Sequence, residues 1–185
     1  MNTLITPEIR DIATEYYRKA RVGFSNGIPL TVLHIADEYT IAVFGHENNQ
    51  PSMIWTFPIG SEITARNYFR HNPPTPGEIE EAITIVEDEV MPIKKLLDHN
   101  SKLITLDSTI KDVAFQTETI DHALGLVLTI GNMEGVFNRL AAIITGRPAS
   151  MDTLPTTLSF AASLLILREF MHHLGYTDIT IRKDA

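Results

Sequence analysis

Residues 158–174, LSFAASLLILREFMHHL, follow helical spacing yet are apolar on nearly every side. A helix without a polar stripe has no face to turn to water, so it must be packed inside its domain with other elements around it. Gly175 is its natural C-terminal stop, because glycine adopts the left-handed conformation that ends helices. The chain has 185 residues, more than one small core needs and fewer than two comfortable domains would take. A single domain over 1–185 built round this helix is the expectation.

The surrounding elements follow from local pattern. Ile9, Ile12, Ala13, Tyr16, Tyr17 and Ala20 keep helical spacing, with Thr6 as N-cap and Pro7 at the first helical position, which predicts a helix over 7–22. Ser25 to Pro29 is turn chemistry. Three β-rich runs come next, Thr31 to Ala36, Thr40 to Phe44 and Met53 to Phe57, and their short connections predict an antiparallel meander. The polar tip Asn48-Asn49-Gln50-Pro51 is a plain hairpin loop. Thr75-Pro76-Gly77-Glu78 opens a long helix through a capping box, and Ile79, Ala82, Ile83, Val86, Val90, Ile93 and Leu97 form its apolar stripe. Its acidic residues suit a solvated face better than a cation site, and Pro92 should kink or shorten it. Leu103 to Leu106 is a strand, Ala123 to Ile130 another that Gly125 weakens, and 133–145 a helix ended by Gly146-Arg147-Pro148. Ile179 and Ile181 alternate with Thr180 and Arg182 in a last strand. The sum is an α/β fold, a mixed sheet with helices around it.

A formal net charge of −8, with 21% charged and 44% hydrophobic residues, suits a soluble globular protein and opposes general affinity for nucleic acid or anionic membrane. No run of 18 apolar residues occurs, and residues 1–10 lack the order of a signal peptide, so the expected location is the cytoplasm. There is no cysteine, which removes disulfides, thiol nucleophiles and cysteine zinc sites. His172 and His173 are adjacent and diverge on their helix, while His34, His46, His71, His99 and His122 lack ligand spacing. No G-x-S-x-G elbow or Walker loop is present.

Motif order selects among α/β folds. Thr56 to Pro76, TFPIGSEITARNYFRHNPPTP, resembles the segment of the Ppx/GppA exopolyphosphatase family in which a strand reaches a Pro-x-Gly turn, a helix follows, and a D-P-P-T-like turn opens a long helix. Glu15 to Leu30, EYYRKARVGFSNGIPL, is similar to the family's E-E-A-R…G…G-L-P-L segment. Leu154-Pro155, then His173-Leu174-Gly175-Tyr176 and Asp178-Ile179-Thr180-Ile181, resemble its L-P…A-L-G…E-I-T-V ending. The resemblance covers nearly the whole chain, but only the second of the family's two actin-like lobes. It implies an actin-like ATPase (ribonuclease H-like) lobe, which in the family shares a cleft with a first lobe that nothing here matches.

The family's second lobe carries D-I-G-G-G-S-T-E, whose glycines let the backbone turn N–H groups toward a phosphate. The matching stretch is His34-Ile35-Ala36-Asp37-Glu38-Tyr39-Thr40-Ile41, in which Thr40 alone keeps a polar role. A carboxylate about 4 Å from a phosphate charge costs about 1 kcal/mol in water and about 4 kcal/mol at the effective dielectric of a protein surface. A second family loop, G-T-G-G-T, corresponds to Thr105-Leu106-Asp107-Ser108-Thr109, where the glycines are again gone and an acid stands instead. Thr40, Ser108 and Thr109 are thus remnants of phosphate loops. Read alone, Asp107-Ser108-Thr109 is a helix N-cap and Asp37-Glu38 is open to metal binding. The resemblance also makes Glu15 the candidate general base, with Tyr16 at the neighbouring position of the family's glutamate pair, whereas Glu15 read alone is a solvated residue on an amphipathic helix.

The leading expectation is a Ppx/GppA-like pseudoenzyme that binds or regulates without catalysis and needs no cofactor. The rival is an exopolyphosphatase or guanosine pentaphosphate phosphohydrolase that needs Mg²⁺ and a first lobe from another chain. A third possibility gathers Asp37, Glu38 and Asp107 round a divalent cation. A lone lobe leaves surface uncovered, so a protein partner or a two-fold homo-oligomer is expected, with Tyr16 and Tyr17 of the first helix at the contact unless they pack in the core.

Overall fold

The computed structural model describes residues 5–47 and 50–183. The first helix, α1 (Pro7–Arg21), starts where the Thr6 hydroxyl accepts the Ile9 N–H, and Arg18, Lys19 and Arg21 in its last turn complement the helix dipole. The meander follows as β1 (Leu30–Ile35), β2 (Thr40–Gly45) and β3 (Met53–Phe57). Next come α2 (Ser61–Tyr68) and α3 (Pro76–Val90), the latter opened by the complete Thr75/Glu78 capping box. Pro92 ends α-helical bonding, and Met91–Ile93 is a 3-10 turn. The rest of the chain forms β4 (Lys102–Thr105), α4 (Ser108–Ala114), β5 (Ile120–His122), β6 (Gly125–Thr129), α5 (Ile130–Ile144), α6 (Leu158–Leu174) and β7 (Asp178–Arg182).

The strands make one sheet in the order β3-β2-β1-β4-β7-β6-β5. β1, β4 and β7 are parallel, and the flanking strands on both sides are antiparallel to their neighbours. This is the α/β fold of an actin-like, ribonuclease H-like lobe. On one face α6 is buried along nearly all its length, including Ser163 and Glu169, because α2, α3, α4 and α5 pack round it. The other face is covered by α1, whose Ala13, Tyr17 and Ala20 lie on Leu30, Val32, Ile41, Val43 and Ile104. The two-residue period of β1 sends Leu33 and Ile35 to the α6 layer and Leu30 and Val32 toward α1. His34 shares the latter parity, at the carboxyl end of its strand. No helix among the described residues is long and apolar enough to cross a membrane.

Several local expectations need correction. The strand expected over 123–130 begins at Gly125, where a Cβ would lie 2.1 Å from the Ile181 carbonyl oxygen, so a glycine that weakens strand propensity is what allows β7 to approach. Ile130 belongs to α5, which starts three residues before the expected 133 because Thr129 caps it through the Asn132 N–H. The exposed edge strand β5 was not expected, since Ile120-Asp121-His122 has no alternation. Asn48 and Asn49 of the hairpin tip lie outside the described residues. Tyr17 is wholly buried, and its hydroxyl donates to the Glu47 carbonyl and accepts from Arg21, so it belongs to the core and cannot form a surface contact.

Candidate functional site

Parallel pairing of β1 with β4 brings their carboxyl ends together, and the chain leaves both strands on the same side of the sheet. Crevices at such strand ends are the usual ligand sites of open α/β sheets. Here the two loops and α1 enclose an open cleft of about 350 Å³, lined by Tyr16, His34, Ile35, Ala36, Asp37, Leu106, Asp107, Ser108 and Thr109. The two stretches read as altered phosphate loops therefore do face one space.

The β1–β2 turn is closed by Ala36 N–H to Tyr39 O, and it is clamped from below by the start of α2. Ser61 N–H donates to the Ala36 carbonyl, and Glu62 and Ile63 N–H both donate to the Asp37 carbonyl. The first amides of α2 are thus satisfied by the loop itself. The approach is close: a Cβ on Gly60 would stand 2.5 Å from Asp37 O and 2.6 Å from both Ala36 O and Tyr39 N. The Pro-x-Gly turn before α2 is what permits that clamp.

The side chains of the turn are engaged as well. Asp37 is exposed and accepts from the Ser61 hydroxyl at 3.2 Å. Glu38 makes a two-pronged exposed ion pair with Arg66 at 3.0 and 3.3 Å. Thr40 is fully buried and donates its hydroxyl to the Ile59 carbonyl at 2.6 Å, so it braces the loop from inside. Ser108 is exposed and Thr109 half-buried on the cleft wall.

Asp107 occupies the N-cap position of α4, as its place before Ser108-Thr109 predicts, but its side chain makes no cap bond. Its carboxylate reaches across to β1 instead, where Oδ2 accepts the Ile35 N–H and Oδ1 lies against His34 Nδ1, both at 2.6 Å. The carboxylate is therefore a buried tie between two strand ends as well as a charge. The opposite face of the His34 environment is supplied by Tyr16, whose ring centroid is 4.2 Å away. Burial, and then the nearby Asp107 charge, push the Tyr16 phenol above its ordinary 10.0, which keeps it protonated. This Tyr16–His34–Asp107 stack joins three elements far apart in the sequence, so no local spacing marks it.

Glu15, the candidate base, points elsewhere. It is exposed and pairs with Lys19 at 2.6 Å, and that hydrogen bond lowers its carboxyl pKa from the ordinary 4.5. The α1 face that lines the cleft carries Tyr16. The divalent-cation arrangement of Asp37, Glu38 and Asp107 also needs correction: each carboxylate has a different protein partner, and no three described His, Asp or Glu residues gather to hold a metal.

No family model matches the sequence, and no curated protein matches it. Solved structures do. A Ppx/GppA family member from Aquifex aeolicus superposes with a TM-score of 0.76 at 19% identity, covering 94% of this chain and 58% of that one. The type II variant of the Aquifex aeolicus Ppx/GppA phosphatase gives 0.74 at 21% identity, covering 96% and 60%. An exopolyphosphatase from Cytophaga hutchinsonii gives 0.68 at 14% identity, covering 92% and 58%. At such identities the likeness is one of fold, and this chain spans about three fifths of the length of those proteins.

Proposed function

We propose that this chain is a binding or regulatory lobe of the Ppx/GppA fold, corresponding to that family's second lobe, which does not hydrolyse phosphoanhydrides. The observation that carries the reading is the wall of the cleft: its lining residues include Asp37 and Asp107 and no lysine or arginine. A terminal phosphoryl group needs cationic or backbone N–H partners for the charge that spreads over its oxygens. On the β1–β2 side of this cleft the Ile35 amide is bonded to Asp107, the Ala36 amide to Tyr39, and the first amides of α2 to loop carbonyls, so the backbone donors left are those at the uncapped start of α4, beside the Asp107 carboxylate. The net charge of −8 adds long-range repulsion of polyanions.

Calorimetry of the chain with polyphosphate and with guanosine pentaphosphate, each with and without Mg²⁺, tests this reading, and no saturable heat is expected. Phosphate release by the isolated chain that Glu15→Gln abolishes would overturn it. The fold likeness also supports a second reading, in which a first lobe from another chain completes an exopolyphosphatase-type site with Mg²⁺. It requires tight polyphosphate binding once that lobe is added. As to assembly, we propose a homodimer. Exposed Val22, Phe115, Ile120 and Met151, together with the open edge of β5, supply apolar surface for the contact. Light scattering that finds only a 20.7 kDa species at all concentrations refutes the dimer.

A further inference from the structure

The last turn of α3 runs against the usual order of helix charges. Cations stabilise the carboxyl end of a helix and anions its start, yet α3 closes on Glu87, Asp88 and Glu89 with no basic residue in that turn. Glu87 faces His173 at 3.8 Å, whereas Asp88 and Glu89 make no hydrogen bond or ion pair among the described residues. Both line an open cavity of about 300 Å³ between the end of α3, the 3-10 turn after it and β3. Buried Trp55, Phe57 and Ile93 give this cavity an apolar wall, Leu96 adds apolar surface toward solvent, and no lysine or arginine lines it. Trp55 is 8% exposed, and its indole N–H has no hydrogen-bond partner among the described residues. Its Nε1 is not sealed from solvent as the unpartnered Thr64 and Ser163 hydroxyls are. A donor so deeply set, unmet by protein and open to a cavity marks a place for an acceptor.

We propose that this cavity binds a lysine or arginine residue of a partner peptide, its cationic head at Asp88 and Glu89 and its amide carbonyl on the Trp55 indole N–H. Each feature of the cavity selects a feature of that residue. Two carboxylates and the carbonyl end of a helix call for a cation with N–H donors. The unmet indole donor calls for an acceptor oxygen close to that cation. The apolar wall suits the methylene stem that joins the two, since long basic side chains lay their stems along apolar surface and keep the charge outside. A residue within a peptide fits better than a free amino acid, because a free carboxylate would meet the same two acids and a net charge of −8. β3 is also the outermost strand of its sheet, which leaves room for an extended segment beside it. The cavity shares no lining residue with the cleft at β1 and β4, so this proposal goes beyond the phosphate reading and either can fail without the other.

Nitrogen-15 NMR of the full chain tests it, because Trp55 is the single tryptophan and gives one indole N–H resonance. N-acetylarginine amide should move that resonance downfield in a saturable titration. N-acetylcitrulline amide has the same stem and carbonyls without the charge, and should bind about tenfold more weakly or worse. Agmatine keeps the cation and lacks the carbonyl, so it should bind without the downfield shift of the indole proton. Asp88→Asn combined with Glu89→Gln should weaken N-acetylarginine amide about tenfold or more, and should not lower the Tm, since neither carboxylate has a partner among the described residues. The absence of a saturable shift, equal affinity for the arginine and citrulline compounds, or unchanged affinity in the double variant overturns the proposal. The same downfield shift with agmatine overturns the role of the carbonyl and with it the peptide. If the double variant fails to fold, the three compounds on the wild type decide the matter.

Discussion

Removing the Asp107 carboxylate should weaken the whole domain, although the residue sits in a loop at the edge of a cleft. In Asp107→Ala two donors lose their acceptor. The Ile35 N–H is buried between β1 and the β4–α4 turn and has nothing to replace a bond of 2.6 Å, so it incurs the full cost of an unmet buried donor, about 1–3 kcal/mol. His34 Nδ1 is bonded at the same distance, but the imidazole is 17% exposed and water recovers part of the loss, leaving about 1 kcal/mol. The expected destabilisation is therefore about 2–4 kcal/mol. Urea unfolding followed by Trp55, the single tryptophan and a buried one, should show a lower midpoint at unchanged slope. Ser108→Ala, next in sequence but exposed, should stay within about 0.5 kcal/mol. A loss below about 1 kcal/mol in Asp107→Ala, or an unchanged exchange rate for the Ile35 amide, would refute the account of Asp107 as a tie between strand ends.

Gly60→Ala places a methyl group 2.5 Å from one backbone oxygen and 2.6 Å from two further backbone atoms, and should cost about 1–3 kcal/mol with chemical-shift changes centred on residues 36–39. Wild-type stability there would disprove the clamp. Glu15→Gln should leave the melting temperature unchanged, since the Glu15–Lys19 pair is exposed; a drop of several degrees would assign Glu15 a structural role. On the acid side, the Thr75 backbone N–H, together with His71 and the Arg70 N–H, lowers Glu78 from 4.5 to about 2, and the Arg139 guanidinium lowers Asp152 from 3.8 to about 2. A depressed folded pKa gives stability that is complete above the unfolded value and is lost as pH falls through the folded one. Thermal melts should therefore decline from about pH 4.5 toward pH 2, and Glu78→Gln with Asp152→Asn should flatten that decline; an unchanged slope would contradict the assignment.

The fold was legible because its strongest signals are local. The Thr75–Glu78 capping box, the β-rich runs of β1 to β3 with their short connections and the glycine after α6 are each decided within a few residues of sequence, and each recurs in the structure. The order of those signals also pointed to the Ppx/GppA lobe where no family model does. Beginnings of elements were harder where one residue serves two of them: Thr129 ends β6 and caps α5, so its β-branched side chain counts for the strand by propensity and for the helix by hydrogen bonding.

The site was legible in outline and not in chemistry, and the reason is sequence distance. His34 and Asp107 are 73 positions apart, and only the parallel register of β1 on β4 sets them side by side. Nothing local marks such a pair. Asp107 before Ser108-Thr109-Ile110 has the composition of an N-cap, yet the buried Ile35 amide and the His34 imidazole claim both of its oxygens. A helix N–H near the surface can turn to water, while a buried strand amide cannot, so the carboxylate gains more by leaving the helix end uncapped. On the proposed reading the acid at 107 adds to the charge that disfavours phosphate, while its two buried bonds tie β1 to the β4–α4 turn. Replacing it to restore phosphate affinity would release the tie that shapes the cleft, and any gain in affinity must come from the β1–β2 turn at Ala36, Asp37 and Glu38.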